Sequence, residues 1–78
     1  MMYEAAFRFD SSMTISKAYE LMNEIETELG GSMYRNEYMI DSNNLAMTAN
    51  FDYSQTRPEA IRKWVSDNVG VTAEIGME

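Results

Sequence analysis

The sequence predicts a small α+β sandwich in which two helices lie on one face of a four-stranded antiparallel sheet. Three observations predict it. Four stretches alternate in side-chain character with the two-residue period of a strand. Two others repeat apolar residues every three or four positions, the period of an α-helix. Their order along the chain is strand, helix, strand, strand, helix, strand. That order is the split βαβ pattern, and right-handed crossovers put strands one and three in the middle of the sheet and strands two and four at its edges. The expected architecture is therefore ferredoxin-like, βαββαβ, in one domain over residues 1–78.

Met2 to Phe9 is the first strand. Tyr3, Ala5, Phe7 and Phe9 share one side, and Met2, Glu4, Ala6 and Arg8 share the other. Asp10-Ser11-Ser12 is turn and cap chemistry. The helix from Ser12 to Gly30 organises the rest. Ile15, Ala18, Met22, Ile25 and Leu29 form one apolar stripe, and a single-striped helix needs an apolar surface to lie on. Ser12 or Thr14 can cap its start, and Gly30 can supply the left-handed residue that ends it.

After Gly30-Gly31, the segment Ser32 to Asp41 reads as an edge strand. Tyr34, Tyr38 and Ile40, with Asn36 between them, are expected on the core side; Met33, Arg35, Glu37, Met39 and Asp41 are expected on the other. Asp41-Ser42-Asn43-Asn44 is dense in turn formers and suggests a hairpin. Leu45 to Tyr53 alternates cleanly, with Leu45, Met47, Ala49, Phe51 and Tyr53 directed inward. Thr56-Arg57-Pro58-Glu59 reads as a capping box with proline in the first turn. The helix it opens carries Ile61, Trp64, Val65 and Asn68 on its inner stripe, and Gly70 can end it. Val71, Ala73, Ile75 and Met77 then alternate with polar residues and glycine in a fourth strand.

Composition removes several chemistries. The chain has no cysteine and no histidine, so it offers no disulfide, no thiolate nucleophile, no zinc–thiolate site and no imidazole base. Its serines have no histidine to activate them. Asp41-Ser42-Asn43 lacks the glycine and distal glutamate of a calcium loop, and no cofactor or metal is expected. The carboxylates fall at exposed positions rather than paired in a pocket, so the chain does not read as an enzyme. No apolar run approaches the ~20 residues that span a bilayer. Absence of cysteine suits a reducing cytoplasm.

Thirteen acids against six bases give a net charge of −7, which opposes direct binding to nucleic acid or anionic membrane. RNA-recognition modules of this topology stack bases on aromatics of the central strands. Here the corresponding open-face positions are Ala6, Arg8, Thr48 and Asn50, so RNA binding through the sheet is not expected.

Acid placement gives the one functional lead. The first helix carries Lys17 near its start and Glu20, Glu24, Glu26 and Glu28 toward its end. The macrodipole favours the reverse arrangement. Glu20–Glu24 and Glu24–Glu28 are like-charge pairs at i, i+4, each costing roughly 0.2–0.5 kcal/mol. Surplus carboxylates keep small proteins soluble, which is the plainer account of the row; the sharper one is recognition of a basic surface. The expected topology puts Glu20, Glu24 and Glu28 on the same side as Glu37 and Asp41, and these five acids are the expected partner-binding set. In size, charge and absence of cysteine the chain resembles the small acidic inhibitors that phages use against host defence nucleases, anti-CRISPR proteins among them. That resemblance implies an inhibitor that presents acids where a nucleic-acid-binding partner normally takes phosphates. The sequence thus reads as a non-enzymatic protein-binding module. The alternatives are a small-molecule-binding regulatory domain, or an assembly subunit that forms a homodimer through its sheet.

Overall fold

The computed structural model describes residues 1–30, 35–41 and 44–76, with side chains at 1–30 and 46–76. Its elements are β1 (Met2–Phe9), α1 (Ile15–Leu29), β2 (Arg35–Asp41), β3 (Asn44–Asp52), α2 (Pro58–Ser66) and β4 (Val71–Gly76). Strand β1 is central, antiparallel to β3 on one side and to β4 on the other. The register sets Tyr3 across from Phe51, Ala5 across from Ala49 and Ile75, and Phe7 across from Met47 and Ala73. One sheet face therefore collects the apolar pairs of alternate rungs, as period-two alternation requires.

That face and the two helices make the core. Tyr3, Ala5, Phe7, Phe9, Met47, Ala49, Phe51 and Val71 are buried from the sheet, with Ala18, Leu21, Met22 and Ile25 from α1 and Ile61 and Trp64 from α2. Tyr3 stacks on Phe51 at 5.8 Å between ring centroids, and Phe7 meets the same ring edge-on at 6.4 Å. Phe51 thus ties two β1 aromatics together. Truncating such a ring to alanine costs about 3–5 kcal/mol.

Helix α1 begins at Thr14, whose hydroxyl accepts the Lys17 N–H at 3.1 Å. It ends at Gly30 with φ +73°, and the Gly30 N–H bonds the Glu26 carbonyl at 3.1 Å. The apolar stripe is rotated from the expected one. Leu21 is buried, Leu29 is half-buried and Ile15 is 61% exposed. Leu21 lies seven residues from Glu28, on nearly the same side of the helix, and Glu28 reaches α2. The second helix, not the sheet alone, draws that flank inward.

The α2 capping box is also corrected. Arg57 is the N-cap and gives no side-chain bond, while Thr56, one residue earlier, turns its hydroxyl to the Leu29 carbonyl. Glu59 pairs with Arg57 at 3.9 Å. Gly70, at φ +90°, sits in the turn before β4, and the α2 C-cap is Asp67.

The ferredoxin-like reading is corrected as well. The part of the sheet described with its side chains is three-stranded, in the order β3-β1-β4. The fourth strand, β2, is placed beside β3 by backbone pairing alone, and its register departs from the alternation expected of it. Arg35 lies across from Ala49 and Glu37 across from Met47, whereas Tyr38 lies across from Ala46. The residues expected on the open face occupy core-side register positions, and those expected inward do not. A one-residue slip exchanges the faces of a strand. The ladder is also irregular between Met39 and Asp41. The supported description is a small α+β fold. The expected strand start over residues 32–34, the turn at Ser42-Asn43 and the strand end at Met77 lie outside the described residues.

The face away from the helices is less open than expected. Ala46 is fully buried there and Thr48 is 7% exposed. Ala46 stands across from Arg8 on β1, and a methyl group between longer neighbours loses solvent without a covering layer.

Candidate functional site

Helix α1 positions the acids that the sequence singles out. Glu20 and Glu24 are exposed and stand one turn apart, about 6 Å along the axis. Among the described residues no ion pair joins either to a base. Acids elsewhere differ: Glu74 has Arg8 at 3.4 Å, Glu59 has Arg57 at 3.9 Å, and Asp52 has the Met1 ammonium at 3.8 Å. The first turn of α1 has no acid and its last turn no base, so nothing in the helix ends offsets the row.

Glu28 is committed differently. Its Oε2 accepts the Trp64 indole N–H at 2.9 Å in a partly buried setting. Glu28 is exposed, as Glu20 and Glu24 are, but its carboxylate joins α1 to α2. Glu26 sits at the buried margin. For Glu37 and Asp41 the backbone is described but the side chains are not, so their part in the expected set lies outside the described residues. The structure thus brings together Glu20 and Glu24 and gives Glu28 a structural partner.

The basic residues are also divided. The Arg57 guanidinium lies 5.0 Å from the Tyr53 ring centroid, and its Nη2 donates to the Tyr53 hydroxyl at 3.0 Å. Arg62 and Lys63 remain exposed on α2. Among the described residues no three acidic side chains gather closely enough to hold a metal ion, and no helix is long and apolar enough to cross a membrane.

Two features escaped the sequence reading. One is the Thr56 junction: Thr56 bonds the Leu29 carbonyl through its hydroxyl, and its own carbonyl accepts from the Tyr3 hydroxyl. Leu29 is among the last residues of α1, whose carbonyls have no partner within the helix. The other is a hollow at the end of the β1–β4 ladder, lined by Arg8, Phe9, Asp10, Gly70, Val71 and Thr72. Arg8 and Thr72 are far apart in sequence, and only the register reveals them as neighbours. Comparison with protein-family models, curated proteins and solved structures finds no match to this chain.

Proposed function

We propose that this chain is a non-enzymatic protein-binding module that offers the outward face of α1 to a basic protein surface, inhibiting a nucleic-acid-binding partner. One observation carries the reading. Glu20 and Glu24 are stacked one turn apart, solvent-facing and without a base among the described residues, a like-charge pair that works against its own helix. The net charge of −7 extends their field, and such steering raises association rate more than affinity. Lack of cysteine suits the reducing cytoplasm where such a partner is met. The resemblance to phage anti-defence inhibitors supports the same reading.

The test is capture from the native host by the wild-type chain and by Glu20→Lys/Glu24→Lys. The wild type should retain a basic, nucleic-acid-binding protein, release it as salt rises, and compete with that protein's nucleic acid. Retention by the charge-reversed variant at equal strength would overturn the proposal.

A further inference from the structure

We propose that the hollow at the end of the β1–β4 ladder binds a small zwitterion of the free α-amino-acid class. The hollow has a volume of about 390 Å³, within the roughly 300–1,000 Å³ of small-molecule sites. Arg8 pairs with Thr72 and Phe9 with Val71, and the Asp10 N–H continues the ladder to the Gly70 carbonyl at 2.8 Å. Phe9 and Val71 turn their side chains into the core, at 3% and 5% exposure, and give the hollow mainly backbone. The side chains left to line it are Arg8, Asp10 and Thr72: a cation, an anion and a hydroxyl. Gly70, at φ +90°, adds only backbone, and Met13 Cε packs 3.1 Å from where a Cβ on it would stand.

Those groups select by charge. The Arg8 fork matches a carboxylate, and its existing contact with Glu74, 3.4 Å long between exposed side chains, is readily exchanged. Asp10 Oδ1 accepts the Ser12 N–H at 3.2 Å and lies 3.5 Å from the Ser11 hydroxyl. The carboxylate is thereby oriented, with Oδ2 left to meet an ammonium. A purely anionic ligand meets Asp10 and a net charge of −7; a purely cationic one meets Arg8. A neutral molecule carrying both charges meets neither penalty. Because none of the residues lining the hollow belongs to α1, this inference does not depend on that helix's acidic face.

The experiment is a two-dimensional amide NMR titration of the full chain with L-alanine, L-leucine, L-glutamate and L-arginine. L-Alanine methyl ester, which lacks the carboxylate, and N-acetyl-L-alanine, which lacks the ammonium, are the comparison probes. At least one free amino acid should give saturable shifts centred on residues 8–12 and 70–72, and neither blocked alanine should reproduce them. Arg8→Gln, at an exposed position, should keep the spectrum of the free protein and weaken binding tenfold or more. The proposal is overturned by no saturable shift at tens of millimolar, by equal binding of the blocked probes, by shifts that map elsewhere, or by unchanged affinity in Arg8→Gln.

Discussion

The indole N–H of Trp64 donates to Oε2 of Glu28 across 2.9 Å, joining the two helices at a partly buried point. A hydrogen bond to a charged group contributes about 1.5–3 kcal/mol when solvent is excluded, and less at a partly exposed site. Glu28→Ala should therefore lower stability by roughly 1–2 kcal/mol, read as a lower midpoint in urea. Glu28→Gln keeps an acceptor and should lose less. Trp64 is the only tryptophan, so its fluorescence should move to the red in the alanine variant and stay nearer the wild type in the glutamine one.

Thr56 tests a different kind of contact. Its hydroxyl satisfies the Leu29 carbonyl, and its own carbonyl receives the Tyr3 hydroxyl. Thr56→Val keeps the shape and removes the donor, so the α1 carbonyl loses its partner at a cost of about 1–3 kcal/mol. Thr56→Ser keeps the hydroxyl and should lie close to the wild type. Equal losses in both would show that the methyl group, and not the bond, is what matters.

Tyr3 sets the alkaline limit. Burial, with Glu59 and Tyr53 adding to it, holds the Tyr3 hydroxyl above its ordinary 10.0, although Arg62 works the other way. The folded pKa is raised, so the contribution is complete below pH 10.0 and is lost as pH rises through the folded value. Thermal unfolding followed above that pH should fall more steeply in the wild type than in Tyr3→Phe, which cannot ionise there.

Asp52 sets an acid-side effect of opposite sign. Bonds from the Ser54 N–H at 3.0 Å and the Ser54 hydroxyl at 2.8 Å hold its carboxyl below the ordinary 3.8. A depressed folded pKa gives stability that is present above 3.8 and lost as pH falls through the folded value. The stability difference between wild type and Asp52→Asn should therefore shrink as pH is lowered through that range.

The acidic face makes a prediction about folding as well as binding. Glu20→Lys and Glu24→Lys each remove the like-charge pair on an exposed helix surface. Each should leave thermal stability unchanged or raise it by roughly 0.2–0.5 kcal/mol. A marked fall would mean that these carboxylates have structural partners, and the binding role would lose its support.

The β1 and β3 inner faces were legible in the sequence because their period-two contrast is strong: Tyr3, Ala5, Phe7, Phe9, Met47, Ala49 and Phe51 reach the core, Tyr53 is half-buried, and the side chain of Leu45 lies outside the described residues. Strand β2 was not, because Tyr34, Asn36, Tyr38 and Ile40 on one side and Met33, Arg35, Glu37 and Met39 on the other are similarly mixed. Alternation without contrast does not fix which way a strand faces. The outward position of Glu20 and Glu24 followed from helix geometry alone. The commitment of Glu28 did not, since it depends on where Trp64 of a second helix comes to rest. Thr56 misled because a threonine three residues before a glutamate matches a capping box whether or not a distant carbonyl claims its hydroxyl.

The central position of β1 has a consequence for synthesis. Strand β1 is made before both of its neighbours, so its edges stay uncovered until β3 and then Val71–Gly76 have followed it. Until then Phe7 and Phe9 belong to an incomplete sheet on the ribosome. Removing Val71–Gly76 should leave one edge of β1 bare and yield a species that aggregates.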